Sequence, residues 1–200
     1  MRSAILWMIV SYFLGSIPTG YIAARLVKGV DIRTVGSGNI GATNVKRAMG
    51  QNWAILVSIV DMLKGALALL ITATSAVPGP TPWLLSLAGF AAVMGHNYPI
   101  WLKFNGGKGV ATTYGVVFFL KPYESFAIAL LSGAIWYAVM KGTRYVSLAS
   151  IISLLVLPLF FWMLELPFPF IAVSFVLAVF SIYRHKSNID RLAHGKESQV

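Results

Sequence analysis

The sequence predicts an all-α integral membrane protein: a bundle of seven transmembrane helices, N-terminus outside and C-terminus cytoplasmic. Three observations carry that expectation. The 200 residues are 58% hydrophobic and only 11% charged, whereas soluble chains carry about 25% charged residues. The apolar residues fall into long runs, and a helix needs about 20 of them to cross about 30 Å of hydrocarbon. The basic residues gather at the ends of those runs, as topology signals do.

Seven apolar segments can be drawn, at residues 4–24, 53–75, 83–102, 110–120, 125–140, 146–164 and 168–183. The first holds Gly15, Ser16, Pro18 and Gly20 and lacks a small-residue cleavage site, so it reads as a retained span rather than a signal peptide. In the second, Asp61 and Lys64 stand at i and i+3, close enough to neutralise each other. Pro78-Gly79-Pro80 with Pro82 separates it from the third segment, which Gly95-His96-Asn97-Tyr98-Pro99 closes. Residues 110–120 rise 1.5 Å each and cover only about half the hydrocarbon core. That fourth segment is either extended by its neighbours or a re-entrant half-helix. Lys121-Pro122 opens the fifth, Lys141-Gly142 closes it, and Pro167 with Pro169 parts the sixth from the seventh.

Charge tests the count. With the N-terminus outside, the inner connections hold Arg25, Lys28, Arg33, Lys46, Arg47, Lys103, Lys108, Lys141, Arg144, Arg184, Lys186, Arg191 and Lys196, and the outer side holds Arg2 and Lys121. Thirteen against two is the bias expected of cytoplasmic loops, and losing any one span would abolish it. No linker or charge run divides the chain, so residues 1–200 read as one domain, expected to be a monomer. The net charge of +10 forms no continuous stripe, which argues against nucleic acid and for membrane lipids or an anionic substrate. Cysteine is absent, excluding disulfides and thiol nucleophiles. The three histidines are scattered, so no metal site and no cofactor are expected.

Three polar islands interrupt the apolar background. In the first, Gly36-Ser37-Gly38-Asn39-Ile40-Gly41-Ala42-Thr43-Asn44, glycines permit positive φ and let backbone N–H groups converge on an anion. If the helix of the second span begins near residues 42–47, its free N–H groups add to that field, and Arg47 can grip a phosphate with two bonds. The second island, Asn105-Gly106-Gly107-Lys108-Gly109-Val110-Ala111-Thr112, is not a Walker loop. Leu102 stands where that motif needs its first glycine, and Gly109 where it needs Ser or Thr. A short glycine nest with one lysine still suits a phosphate. His96, just ahead of it, can donate to an anion or move a proton near neutral pH. In the third island, Tyr183-Arg184-His185-Lys186-Ser187-Asn188-Ile189-Asp190-Arg191, a continuing helix would put His185 and Asn188 on one face. Ser147, near the inner end of the sixth span, is in reach of the same face.

These stretches resemble a known family. Gly36-Ser-Gly-Asn-x-Gly-Ala-Thr-Asn-x-x-Arg47, Gly95-His-x-x-Pro-x-x-x-x-Phe-x-Gly-Gly-Lys-Gly-x-Ala-Thr112 and His185-x-x-Asn-Ile-x-Arg-Leu-x-x-Gly-x-Glu197 are similar to the bacterial acyl-phosphate:glycerol-3-phosphate acyltransferases, called PlsY. The likeness runs across nearly the whole chain. It implies a seven-span inner-membrane enzyme, its active site on the cytoplasmic face, that takes the acyl chain of acyl phosphate and places it on the 1-hydroxyl of glycerol 3-phosphate. It further implies that Ser37, Arg47, Lys108, His185 and Asn188 are the catalytic positions. The glycine loops would hold the two phosphates, with Gly36, Gly38, Asn39, Gly41, Thr43, Asn44, His96, Gly106, Gly107, Gly109, Thr112 and Ser147 as substrate-binding residues. The base stays open among His185, His96 and a substrate phosphate.

The residues agree with that chemistry: both substrates carry phosphate, and the chain offers two glycine nests with cations. A transporter for phosphate or a phosphorylated polyol is the rival reading. It would place its site between inverted repeats near the midplane, and no repeat is visible here.

Overall fold

Glycines and prolines set the helix boundaries. The computed structural model describes residues 2–77 and 79–199; Pro78 of the expected break and the side chain of Arg2 lie outside the described residues. Among those described there is no strand. Helices α1 (Arg2–Gly15) and α2 (Thr19–Lys28) form one run, Ala4–Lys28, broken where Pro18 lacks the N–H that would continue the ladder. The broken turn keeps its partners: Ser16 Oγ donates to the Phe13 carbonyl at 2.8 Å, and Lys64 Nζ donates to that of Ile17 at 2.8 Å. Inside a membrane such carbonyls must be satisfied by protein.

A short helix α3 (Ala42–Met49) precedes α4 (Gln51–Ser75), and between them Gly50 adopts φ 95° while its N–H caps the Lys46 carbonyl at 3.0 Å. The helix near residues 42–47 is therefore not the start of the second span but a separate one. Then come α5 (Pro82–Asn97), capped by Thr81 Oγ1 accepting from the Leu84 N–H at 3.1 Å, and α6 (Val110–Leu120). After them run α7 (Pro122–Thr143), α8 (Val146–Leu155), α9 (Leu157–Met163), α10 (Phe168–Arg184) and α11 (Lys186–Ala193). Pro158, within the first turn of α9, explains the interruption of the run Val146–Met163.

All seven expected segments are helical. Among the described residues, four runs are long and apolar enough to cross a membrane, or five if α10 and α11, bent by 58° at His185, count as one. The 16 residues of α5 and 11 of α6 are fewer than a full crossing takes. The brevity of α6 has a structural reason. A Cβ on Gly65 would strike the Thr112 carbonyl, and one on Gly115 would strike that of Met62. The first turns of α6 thus pack against the interior of α4, not its end, with Gly106, Gly107 and Gly109 just ahead of them buried. Glycine contacts of this kind let membrane helices approach closely.

The chain divides into two compact units, Met1–Val116 and Val117–Val200. In the first, Ala24, Ile32, Ile40, Val45, Val57 and Leu102 form a buried cluster that anchors residues 32–45. In the second, α8 packs on α7 with Ser132 Oγ donating to the Ser153 carbonyl at 2.6 Å and Trp136 Nε1 donating to Ser150 Oγ at 3.1 Å. Large apolar side chains such as Leu26, Val77, Trp162 and Phe168 face outward, the surface a lipid environment calls for.

Candidate active site

In the first unit, two buried isoleucines, Ile32 and Ile40, hold the ends of the first glycine loop. Between them the chain turns through Gly36 at φ 58° and Gly38 at φ 69°, conformations that a Cβ disfavours. Asn44, 2% exposed, organises the turn from within. Its Oδ1 accepts the Ser37 N–H at 2.9 Å, and its two Nδ2 hydrogens are shared among the carbonyls of Asn39 (2.9 Å), Val35 (2.9 Å) and Ile32 (3.2 Å). The Gly41 N–H goes to Asn39 Oδ1 at 2.8 Å, and the Gly38 N–H to the Val35 carbonyl at 3.0 Å.

The amides of Ser37, Gly38 and Gly41 are engaged within the loop and do not converge on a ligand. Ala42 and Thr43, the first two residues of α3, have N–H groups that no carbonyl of their own helix can reach. The Ser37 hydroxyl and the Arg47 side chain are on the exposed side. The Arg47 stem passes over the loop, its Cδ 3.7 Å from the place a Cβ on Gly36 would take. Neighbouring Arg33 is engaged elsewhere. It grips Asp31 through Nε and Nη2, with a shortest contact of 2.6 Å, and lies 5.1 Å over the Tyr21 ring. That hydrogen bonding lowers the pKa of the half-buried Asp31 carboxyl to about 2.

The second glycine loop folds back on the end of α5. Lys103 and Phe104 turn the chain with φ 51° and 62°. The Gly106 N–H then donates to the Asn97 carbonyl at 3.1 Å, and the Gly107 N–H to that of His96 at 3.0 Å. There is no room here for side chains: a Cβ on Gly107 would land on the His96 imidazole Nε2, and one on Gly106 on the His96 carbonyl. Lys108 follows, half-buried. Asn39 Nδ2 donates to the Gly106 carbonyl at 3.4 Å. The structure thus joins the two glycine loops predicted as phosphate nests.

Behind the second loop is a buried polar group legible only in part from sequence. Asp61 Oδ1 is 2.8 Å from Lys64 Nζ, the expected pair, and 3.6 Å from His96 Nδ1. Thr112 is fully buried, with its carbonyl on Gly65. Nothing in the spacing of Asp61 and His96, 35 residues apart, announces their contact.

In the second unit, α10 does not continue straight past His185. The His185 N–H is shared between the Ser181 and Ile182 carbonyls, each at 3.0 Å, and the bend follows. His185 and Asn188 are linked by the Asn188 N–H to the His185 carbonyl at 2.8 Å, and both side chains are buried. His185 Nδ1 lies 2.8 Å from the Ser181 carbonyl. A carbonyl only accepts, so Nδ1 carries a proton, and the tautomer this selects for an uncharged ring has its lone pair on Nε2.

Asn188 does not stand alone. Its Nδ2 donates to Glu197 Oε1, which also accepts from Ser147 Oγ at 2.7 Å, while Arg191 Nε donates to Glu197 Oε2 at 2.7 Å. Burial alone would raise the Glu197 carboxyl, but the donors Asn188, Ser147 and Arg191 outweigh it and hold the group below its ordinary value. Glu197 was the residue missing from the sequence-based site, although it closes the third motif.

A set of apolar helices with two interlocked glycine loops beside Arg47 and Lys108 defines a multi-pass membrane protein suited to an anionic substrate. The chain belongs to the glycerol-3-phosphate acyltransferase family, whose model matches residues 5–195. It is 44% identical over 194 residues to the glycerol-3-phosphate acyltransferase of Aquifex aeolicus, covering 97% of each chain. To that of Desulforudis audaxviator it is 46% identical over 190 residues, 94% of this chain and 91% of the relative. Its fold is similar to crystal structures of PlsY, an integral membrane glycerol 3-phosphate acyltransferase. The glycerol 3-phosphate form has a TM-score of 0.90 at 43% identity, covering 99% of this chain and 96% of that one. The lysophosphatidic acid form gives 0.88 at 43%, covering 98% and 95%.

Proposed function

We propose that this acyltransferase takes its acyl group from acyl phosphate and places it on the 1-hydroxyl of glycerol 3-phosphate, giving lysophosphatidic acid and inorganic phosphate. The observation that carries the reading is the union of two glycine loops, each followed by a cation, through Asn39 and Gly106. Both substrates bring a phosphate, and PlsY has been solved with glycerol 3-phosphate and with lysophosphatidic acid. In the reaction the 1-hydroxyl oxygen attacks the acyl carbonyl carbon, the bond from that carbon to the phosphate oxygen breaks, and phosphate departs. Acyl phosphate already holds a good leaving group, so no acyl-enzyme is required. The protein's tasks are to hold two anions together and to stabilise the developing charge.

Arg47 and Lys108 neutralise phosphate in this reading, with the Ser37 hydroxyl and the Thr43 end of α3 as further donors. Gly36, Gly38, Asn39, Gly41, Asn44, His96, Gly106, Gly107, Gly109 and Thr112 form the substrate-binding loops in this reading, and Asn44 and Asn39 also brace their shape. His185 and Asn188 orient glycerol 3-phosphate, Ser147 and Glu197 hold Asn188, and His185 Nε2 accepts the hydroxyl proton. The whole chain serves as one catalytic domain, consistent with a family model that runs through both units. It is a monomer among membrane lipids in the bacterial inner membrane, with seven spans, N-terminus outside, and the site on the cytoplasmic face, as the charge bias supports.

The test uses purified protein with palmitoyl phosphate and glycerol 3-phosphate. One inorganic phosphate per lysophosphatidic acid is expected, with both lost in Arg47→Ala and Lys108→Ala. Phosphate without the lipid would show hydrolysis and overturn the proposal.

A further inference from the structure

A charged pair within a transmembrane helix is expensive, and two apolar residues would fill the same space without stripping water from two charges. Asp61 and Lys64 are 3% and 5% exposed. Mutual neutralisation explains why two charges coexist there. It does not explain their other contacts.

Asp61 Oδ1 faces His96 Nδ1 at 3.6 Å. The opposite edge of the same ring, at Nε2, fills the place where a Cβ on Gly107 would stand, and the His96 carbonyl accepts the Gly107 N–H at 3.0 Å. His96 therefore clasps Gly107, the residue before Lys108, by both ring and backbone. Lys64 reaches the other way, to the Ile17 carbonyl at 2.8 Å, at the break between α1 and α2. Just beyond that break, Gly20 lies against the Ile40 carbonyl of the first loop, closely enough that a Cβ would clash. One buried pair thus touches the supports of both loops.

We propose that Asp61 is a positioning residue: through His96 it fixes Gly107 and so the placement of Lys108, while Lys64 neutralises it and braces the first loop through the α1–α2 break. At 3.6 Å the contact is an ion-pair approach rather than a closed hydrogen bond, and a carboxylate at that place favours a proton on Nδ1 over a bare nitrogen. Displacing a phosphate-binding lysine by 1 Å is enough to lose about 100-fold in rate.

This rests on the reading of Lys108 as a phosphate-binding group, so one arm of the test needs no substrate. In the native protein labelled with 15N-histidine, which has three histidines, the His96 signals are those that remain once His185→Gln and His194→Gln have assigned the other two. A protonated Nδ1 is expected, with a changed ring signal in Asp61→Asn; a bare Nδ1 overturns the proposal, and this spectrum decides it even if a variant fails to fold. The second arm is a kinetic cycle with melting temperatures recorded alongside. Asp61→Asn and His96→Gln should each lower kcat/KM at least about tenfold, and the double variant should be no worse than the poorer single one. Losses that multiply, or that only track the folded fraction, overturn it. Inactivity of the native enzyme with acyl phosphate, beside the expected spectrum, would instead condemn the reading of the donor.

Discussion

Replacing Asn44 with alanine should collapse the first glycine loop. The buried side chain makes four contacts, accepting the Ser37 N–H and sharing its two N–H hydrogens among the carbonyls of Ile32, Val35 and Asn39. At about 0.5–1.5 kcal/mol net for each, and with the carbonyls keeping a second lone pair for other donors, the loss comes to about 2–4 kcal/mol of local stability. The loop would lose the register that sets Ser37 and Arg47, and a displacement near 1 Å costs about 100-fold in rate. Asn44→Asp is the sharper probe. It keeps an acceptor for Ser37 but turns a second oxygen toward three carbonyls, so it should do no better than alanine. The assay pairs thermal unfolding in detergent with kcat/KM for both substrates. Lys46→Ala, two residues along and exposed, should change stability by no more than about 0.5 kcal/mol. Native melting temperature and native kcat/KM in Asn44→Ala would refute the reasoning.

Other sites give further expectations. Gly107→Ala drives a Cβ into the His96 ring and should cut kcat/KM at least about tenfold, whereas Gly142→Ala, with nothing near its Cβ, should leave steady-state rates unchanged. Glu197 has a folded-state pKa below its ordinary 4.5, so its contribution to stability is complete above that value and is lost as pH falls below it. Melting followed downward from pH 7 should show this acid loss in the native protein, and Glu197→Gln should lack that component. His185→Gln removes the Nε2 lone pair and should lower kcat far more than it raises KM; a loss confined to KM would exclude it as the proton acceptor.

The sequence revealed what is local. Residues 110–120 form a helix with the expected ends because Gly109 precedes it and Lys121-Pro122 follows it. The glycine loops were visible because glycine is needed where the backbone turns through positive φ, at Gly36, or where it meets another segment, at Gly107. What the glycines do was harder to read. Composition suggests amides aimed at an anion, yet those of Ser37, Gly38 and Gly41 bond to Asn44, Val35 and Asn39 within the loop. The bend at His185 carries no proline or glycine to mark it; it comes from an N–H shared between two carbonyls. Contacts between distant residues follow no spacing rule. Asp61 meets His96 across 35 residues, and Ser147 meets Glu197 across 50, so the roles of Asp61 and Glu197 emerge only once the helices are packed.

The most direct test of the central claim is the fate of the bridging oxygen of acyl phosphate. Palmitoyl phosphate labelled with 18O between carbonyl carbon and phosphorus would be turned over with glycerol 3-phosphate, and both products weighed by mass spectrometry. Attack of the 1-hydroxyl on the carbonyl carbon sends all of that label into inorganic phosphate and none into lysophosphatidic acid. Label left on a fatty acid, with the phosphoryl group moved to the acceptor, would show cleavage at phosphorus and contradict acyl transfer.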